Sequence, residues 1–307
     1  MFYYSPKFEL RWPEHVFPIE KYRLLAEAVV EEGLARADEV VEPAPATDGD
    51  LLLVHTPEYL RTLEDLAEQG SDGFNRYEAP FDQGIWEALR YAAGGTMAAA
   101  RSALAGAGGR HWAFSVAGGY HHAYPDHGEG FCFINDVAMA ARAVQRDGLA
   151  DRVFVVDCDL HQGNGTAAAF RGDERVFTFS IHQENLYPAK ERGDCDIGLA
   201  DFAGDSIYLD ELRRALPGCL DEHGPELGIY LAGADPYAGD RLGSLSLSKR
   251  GLEERDRFVF EELARRAIPV AVTTAGGYAE RTLDVVDIHL ATVRAVMEVC
   301  GPVGGGE

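Results

Sequence analysis

One segment of the chain reads Arg152-Val-Phe-Val-Val-Asp-Cys-Asp-Leu-His-Gln-Gly-Asn-Gly165, an apolar run that gives way to alternating polar residues. Its first part, Arg152–Val156, predicts a buried strand. Asp157, Asp159 and His161 follow at every second position, so an extended backbone directs all three side chains to one side. Three such groups at the end of a buried strand are costly unless they are paired or bind a cation. The segment therefore predicts a strand that ends in a metal site.

The same arrangement, a short apolar run followed by a helical stretch, recurs along the chain. Strands are predicted at Leu51–His55, Trp112–Val116, Arg152–Val156, Arg175–Ile181, Leu227–Leu231 and Pro269–Thr273. Helices are predicted at Tyr22–Gly33, Ile85–Ala105, Asp136–Asp147, Leu209–His223 and Lys249–Ala267. Alternation of strand and helix predicts an α/β fold, with a mainly parallel central sheet flanked by helices on both faces. We expect a single catalytic domain over residues 1–300 and a flexible, glycine-rich tail over residues 301–307.

Composition restricts the class of protein. The 307 residues include 46% hydrophobic residues, which suffices for a large core. From the sequence we expect neither a signal peptide nor a membrane-spanning helix, because no apolar run reaches the length that spanning requires. Five dispersed cysteines without a CxxC pair indicate reduced thiols, and we expect a cytoplasmic protein. A net charge of −23 argues against nucleic-acid binding. With four lysines against 24 arginines, the charge fits a solvated acidic surface, although it also favours a cationic substrate. The oligomeric state is left open.

Two further predicted strands end in glycine turns that carry polar side chains. In Val116–Ala123 two glycines precede the pair His121 and His122, and glycines permit the sharp turn that places imidazoles over a pocket. In Thr273–Tyr278 a Gly-Gly turn precedes a tyrosine, whose phenol could donate a proton to a developing oxyanion. Taken alone, the histidine pair would also fit a purely structural role, and the tyrosine would also fit an aromatic side chain that only packs.

The strand Leu227–Leu231 leads to Asp235, a third carboxylate at a strand exit. Together with Asp159 and His161 it offers three protein ligands, which leave one coordination position open for water, as in catalytic zinc sites. Oxygen-rich ligation also admits Fe(II), Mn(II) or Co(II), so the sequence predicts a metal more firmly than it predicts zinc.

Taken together, the motifs resemble those of the zinc-dependent histone deacetylase family, within the arginase–deacetylase fold. The similar stretches, in the family's order, are Gly118–Ala123, Gly130–Asp136, Asp157–Gly165, Gly233–Gly243 and Gly276–Tyr278. Weaker similarity occurs at His15–Tyr22 and Val54–Tyr59, and the resemblance spans about residues 10 to 295.

The resemblance implies roles for individual residues. One Zn²⁺ would be held by Asp159, His161 and Asp235. The catalytic group would comprise His121, His122, Tyr278, Asp157 and Asn164, with His122 as general base. A substrate tunnel would be bordered by Gly130, Phe131 and Tyr187. Structural K⁺ or Na⁺ would be bound by Asp157, Asp159, His161, Ser180 and Ile181 and, at a second site, by Phe170, Asp173 and Val176.

Two positions depart from the pattern of many family members. Asn164 stands where an aspartate commonly pairs with the second histidine, so it should raise the basicity of His122 less than a carboxylate would. Ala275 stands where many members have another glycine. Both features resemble the class IV branch and its bacterial relatives.

The resemblance implies hydrolysis of linear amides, foremost the N6-acyl-lysine of proteins or peptides. Acetylpolyamines or other small acylated amines are the alternative substrates, and a long-chain deacylase is a third possibility. An arginase-like enzyme would need a DxHxD pattern and an aspartate in place of Tyr120, and the chain has neither. A catalytically silent binding protein is disfavoured because every ligand, base and tyrosine position carries a competent residue.

Overall fold

In this computed structural model the described residues are 1–9, 12, 15–72 and 78–301. The strands within these ranges are β1 (Phe2–Tyr3), β2 (Val40–Val41), β3 (Ser71–Asp72), β4 (Pro80–Phe81), β5 (Trp112–Ser115), β6 (Val153–Asp157), β7 (Val176–Gln183), β8 (Cys195–Leu199), β9 (Leu227–Leu231) and β10 (Val270–Thr273). The helices there are α1 (Lys21–Glu31), α2 (Asp48–Leu51), α3 (Pro57–Gln69), α4 (Gln83–Ala105), α5 (Asp136–Arg146), α6 (Asn164–Phe170), α7 (Asp205–His223), α8 (Lys249–Arg265) and α9 (Thr282–Cys300). Short 3₁₀ helices occur at Pro6–Phe8, Ala37–Glu39 and Ala107–Gly109.

Eight of these described strands form one parallel sheet in the order β2-β1-β5-β10-β9-β6-β7-β8, while β3 and β4 form a separate antiparallel pair. Every residue of the four central strands β5, β10, β9 and β6 is buried. Helices cover both faces of a parallel sheet, so its strands are apolar throughout rather than alternating. This explains why the central strands are the ones that the sequence predicts well.

The helices pack in two groups. α4 contacts α3 and α5, and α5 contacts α2 and α6, whereas α8 contacts α7 and α9, and α9 contacts α1. Both groups contact the sheet at β5, one through α4 and the other through α9, so helices flank the sheet. The predicted α/β class, with one parallel sheet between two helical layers, is confirmed.

Parallel pairing aligns the ends of the strands that carry the polar residues. Ser115, Thr273, Leu231, Asp157 and Ser180 form one row of register partners across β5, β10, β9, β6 and β7. The segments that follow this row leave the sheet at one edge, the carboxyl edge, where ligands of open α/β sheets bind. Groups far apart in sequence therefore meet there, such as the Thr274 hydroxyl and the Val116 carbonyl, which are 158 residues apart.

The predicted strand Leu51–His55 is wrong. This segment begins within α2, which Thr47 caps: its hydroxyl accepts a hydrogen bond from the Asp50 amide, and the Asp50 carboxylate accepts one from the Thr47 amide. Such a capping box starts a helix. Leu51 is buried and Leu52 is exposed, so the apolar run packs on one side only. The sequence interpretation also omitted β1, β2 and β8, the short or outer strands of the sheet, together with α3, α6 and α9.

Two other expectations concern the ends and the membrane. Of the predicted flexible tail, only Gly301 is described, and residues 302–307 lie outside the described residues. Across the described part of the chain, the structure contains no helix with the length and apolarity needed to cross a membrane.

Candidate active site

The predicted metal ligands meet at the carboxyl edge of the sheet. Asp159, His161 and Asp235 are buried, and one ligand atom from each lies within 4.8 Å of the others. His161 Nδ1 is 3.2 Å from Asp159 Oδ1 and 3.4 Å from Asp235 Oδ2. Burial raises the pKa of the Asp235 carboxyl to about 7, and the neighbouring Asp159 charge adds to the rise. A cation at this point would relieve the repulsion between the two carboxylates.

Backbone amides hold the carboxylates in place. Asp159 Oδ2 accepts a hydrogen bond of 2.8 Å from the Gly276 amide, and Asp235 Oδ1 accepts one of 2.9 Å from the Leu160 amide. Apart from the His161 imidazole 3.4 Å away, the buried Asp235 Oδ2 has no hydrogen-bond partner among the described residues, although buried carboxylate oxygens are normally paired. Gly276 is required because a Cβ there would collide with this same oxygen. The second oxygen of Asp235 is therefore available to a cation, and the three residues fit a zinc site in number and chemistry.

The adjacent histidines follow β5. His121 Nδ1 lies 2.7 Å from Asp157 Oδ2, and the Nε2 atoms of His121 and His122 are 3.2 Å apart. His122 Nδ1 lies 2.8 Å from Asn164 Oδ1. The structure thus places the Asp157 carboxylate beside His121 and the Asn164 amide beside His122.

The two histidines differ in charge at neutral pH. Burial opposes the charged form of His121, but the carboxylates of Asp157 and Asp159 outweigh it and raise its pKa to about 9. Burial holds the pKa of His122 well below its usual value, and the charges of His121 and His161 lower it further. A charged imidazole, that of His121, thus lies next to a neutral one, that of His122. Such a difference suits the charged ring to electrostatic stabilisation and the neutral ring to accepting a proton.

Asp136, at the start of α5, anchors the loop that carries these histidines. Its Oδ2 accepts hydrogen bonds from Thr96 Oγ1 at 2.5 Å and from the Gly119 amide at 2.9 Å, and its Oδ1 accepts one from the Tyr120 amide at 2.7 Å. Gly119 has a φ of +83°, a conformation that favours glycine, and a Cβ there would lie 2.6 Å from the Cβ of Ala275. The backbone leading into His121 is therefore fixed from both sides.

The predicted tyrosine closes the opposite side of the site. The Tyr278 amide donates a hydrogen bond of 2.7 Å to Asp240 Oδ2. Burial, together with the Asp235 charge, raises the pKa of the Tyr278 phenol well above its ordinary value, so the phenol remains a proton donor at neutral pH. Ala275 has a φ of +52°, the region that favours glycine.

A channel of about 280 Å³ leads to the histidines and the predicted metal ligands. The predicted wall residues border it on two sides: the Tyr187 ring lies 5.4 Å from that of His122, and the Phe131 ring lies 6.3 Å from that of Tyr278. The channel is lined by Glu78, His122, Gly130, Phe131, His161, Leu186, Tyr187, Leu242 and Tyr278. A smaller space of about 20 Å³ lies beside the same histidines, bordered also by Tyr22, Tyr120 and Cys132.

The residues predicted to bind monovalent cations lie in two neighbouring groups. Asp157 and Ser180 are register partners on β6 and β7, directly next to the metal ligands. In the second group the Asp173 amide donates to the Phe170 carbonyl at 2.9 Å, and the Val176 amide donates to the Asp173 carbonyl at 3.1 Å. The structure brings each group together, and cation binding by either stays a prediction.

Sequence reasoning missed the buried charges that support the site. Lys21 is fully buried and donates a hydrogen bond of 2.8 Å from Nζ to the Ala275 carbonyl in the tyrosine turn, and burial lowers its pKa to about 8. Arg255 is also fully buried, and its Nη1 donates to the Cys158 carbonyl at 3.1 Å and to the Gly233 carbonyl at 2.7 Å. Lys21 lay within the weak His15–Tyr22 match, whereas the helical pattern around Arg255 contained no signal of a buried charge.

The fold and the arrangement of the site place the chain among proteins of the arginase–deacetylase fold. A crystal structure of the HDA15 HD domain has the same fold, with a TM-score of 0.82 and 22% sequence identity over 98% of this chain and 92% of that chain. The family model for the histone deacetylase domain matches residues 15–293. The chain belongs to the histone deacetylase family.

Individual relatives agree with this assignment. An uncharacterized protein of Picosynechococcus sp. is 39% identical over 96% of this chain and 98% of that protein. Histone deacetylase 2 of Arabidopsis thaliana is 31% identical over 89% of this chain and 72% of that protein. A histone deacetylase-like amidohydrolase of Pseudomonas aeruginosa is 30% identical over 87% of this chain and 73% of that protein. Membership of this family supports deacetylase or amidohydrolase activity.

Proposed function

We propose that the protein is a zinc-dependent deacylase that hydrolyses the N6-acyl-lysine amide of proteins or peptides. The observation that carries the proposal is Asp235 Oδ2, a buried carboxylate oxygen that has no hydrogen-bond partner in the described residues apart from the His161 imidazole, beside Asp159 and His161 at the end of a channel. These three residues would hold the zinc ion. Zinc at such a site supplies a Lewis acid and lowers the pKa of a bound water to about 7.

The chain's own residues divide the remaining work. His122 is neutral at physiological pH because its pKa is depressed, so its Nε2 can accept a proton from the attacking water and later donate it to the leaving amine. His121, held by Asp157, retains its positive charge and stabilises negative charge that develops on the substrate. Tyr278 donates its phenolic hydrogen to the substrate's carbonyl oxygen.

The channel supports an acyl-lysine substrate. A narrow space with aromatic walls from Phe131 and Tyr187 suits the apolar methylene chain of lysine. The substrate's amide would lose its water as the side chain enters this space. The inner space of about 20 Å³ holds one water-sized group, so we infer a preference for acetyl over long acyl chains.

A second candidate substrate is an acetylated polyamine. Glu78, which is exposed, lines the channel, and the chain carries a net charge of −23. Both features would attract the free ammonium groups of such a substrate.

The test is a substrate panel with purified, zinc-loaded protein. Acetyl-lysine peptides, myristoyl-lysine peptides and acetylpolyamines are compared by kcat/KM, with and without a chelator. We expect the acetyl-lysine peptide to be hydrolysed fastest, activity to disappear on chelation, and zinc to restore it. Faster cleavage of the acetylpolyamine would select the second candidate, and chelator-resistant hydrolysis would contradict the zinc proposal.

A further inference from the structure

The Asn164 amide lies between the proposed base and an acidic side chain. Its oxygen faces His122, with 2.8 Å between Oδ1 and the histidine Nδ1. Its nitrogen Nδ2 donates to Glu129 Oε2 at 2.7 Å and to the Tyr124 hydroxyl at 3.0 Å. Asn164 itself is fully buried. A neutral residue thus connects the histidine to a carboxylate.

The Glu129 carboxylate decides which way this amide points. An ionised carboxylate only accepts hydrogen bonds, so the end of the amide that faces Glu129 must be the NH₂ group. The oxygen is then directed at His122 Nδ1, which must carry the hydrogen and donate it. The proton of the neutral imidazole is thereby placed on Nδ1, and Nε2 keeps the lone pair that a general base needs. The His121 Nε2 atom, 3.2 Å from His122 Nε2, favours the same tautomer when it carries a hydrogen.

We propose that Glu129 is a positioning residue that sets the tautomer of His122 through Asn164. The inference rests on the proposed function, because the tautomer matters for a base at this position. Glu129 would act on the histidine through the Asn164 amide, and its carboxylate also hydrogen-bonds the Tyr187 hydroxyl in the channel wall. In many family members a carboxylate lies next to this histidine, whereas here the carboxylate contacts the histidine only through the Asn164 amide.

A tight turn fixes Glu129 in this place. The Glu129 amide donates to the Cys132 carbonyl at 3.0 Å, and the Cys132 amide donates back to the Glu129 carbonyl at 2.9 Å. The two residues between them, Gly130 and Phe131, have φ values of +52° and +64°, as in the type I′ turns that close two-residue hairpins. The same turn places Phe131 in the channel wall. One turn therefore positions both Glu129, next to Asn164, and Phe131, in the channel wall.

The test exchanges donor and acceptor at the two positions. In Glu129→Lys the ammonium group only donates, so the amide of Asn164 turns its oxygen to the lysine and its NH₂ group to His122. His122 Nδ1 must then accept, and the proton moves to Nε2. We expect kcat on the acetyl-lysine peptide to fall at least about tenfold, with KM changed by less than about twofold. In Glu129→Gln an acceptor remains available, and kcat should stay within about threefold.

The substitution Asn164→Asp provides the rescue. A carboxylate at this position accepts from both His122 and a lysine, so Glu129→Lys should change kcat by less than about twofold when Asn164→Asp is present. Asp126→Lys is the matched control: it makes the same charge change in the same loop, at an exposed residue paired only with His127 in the described structure, and it should leave kcat unchanged. An equal loss from Glu129→Lys in both backgrounds, or from Asp126→Lys, would overturn the proposal.

A readout without turnover separates this inference from the proposed function. Nitrogen-15 NMR of the labelled imidazoles should show the His122 hydrogen on Nδ1 in the wild type and on Nε2 in Glu129→Lys, in both zinc-free and zinc-loaded protein. An inactive wild type would count against the deacylase proposal alone. An active wild type whose His122 tautomer is the same in both proteins would refute the role of Glu129.

Discussion

Replacing Arg255 by methionine should both destabilise the protein and loosen its metal site. The Arg255 and Asp256 side chains are 0% exposed, and Arg255 Nε donates to Asp256 Oδ1 at 2.8 Å. Asp256 also accepts hydrogen bonds from the hydroxyls of Tyr230 and Thr292. Methionine preserves much of the volume but leaves the Asp256 charge without its counterion.

The magnitude follows from burial. Removing one partner of a buried ion pair costs about 3–5 kcal/mol. At roughly 2–4 °C per kcal/mol for a chain of 150–250 residues, and about 1.5–3 °C per kcal/mol for this longer chain, we expect Tm to fall by roughly 5–15 °C. The carbonyls of Cys158 and Gly233, which Arg255 binds, lie on the backbone that presents Asp159 and Asp235. Loss of such support typically lowers metal affinity about 10- to 100-fold.

The assay combines calorimetric melting of the zinc-free protein with zinc affinity from chelator competition. Arg257→Met is the matched control, two residues along the same helix: Arg257 pairs with Glu298 at 2.7 Å, but its side chain is 36% exposed. An exposed pair contributes about 0–1 kcal/mol, so Tm should change by less than about 3 °C. If Arg255→Met melted within 3 °C of the wild type and bound zinc as tightly, the assignment of Arg255 to the support of the site would be refuted.

Three further substitutions test the remaining parts of the site and fold. Asp235→Ala should lose bound zinc in elemental analysis, whereas Asp126→Ala should keep it, and full zinc occupancy of Asp235→Ala would show that the ligand is wrongly chosen. Tyr278→Phe should lower kcat about 10²- to 10³-fold at unchanged zinc content, and an unaffected rate would remove the phenol from the mechanism. His55, whose Nδ1 lies 3.1 Å from the Tyr124 carbonyl and whose Nε2 accepts from the Asn135 amide at 3.0 Å, has a pKa lowered to about 4 by burial. Since the unfolded chain protonates this group near pH 6.5 and the folded chain near pH 4, stability should fall as pH drops through that window, by about 2 kcal/mol between pH 7 and pH 5. Thermal melts of His55→Gln should have a correspondingly shallower pH slope, and an identical slope would contradict the assignment.

The sequence by itself determined the central sheet and the chemistry of its edge. The four central strands are buried on both faces, so an uninterrupted apolar run is a sufficient signal, and the polar residues that follow each run mark the edge. The alternation of Asp157, Asp159 and His161 gave the direction of their side chains before any tertiary contact was known. The outer strands, such as Phe2–Tyr3 and Val40–Val41, escaped prediction because two residues carry no periodic pattern and their pairing depends on neighbours distant in sequence.

Only the tertiary structure decided which groups support the site. The apolar pattern of Leu51–His55 predicts a strand. In the structure, Thr47 caps a helix there, and the exposed Leu52 shows that only one side of the segment is buried. From the sequence, the neutral Asn164 is expected to be a weaker partner for His122 than a carboxylate. The structure shows that Asn164 also hydrogen-bonds the Glu129 carboxylate. Glu129 lies 35 residues from Asn164, and Arg255 lies 97 residues from Cys158, in helices and turns whose local sequence contains no metal or base pattern. Contacts of this kind depend on the packing of the whole sheet edge, and they cannot be predicted from the periodicity of the sequence.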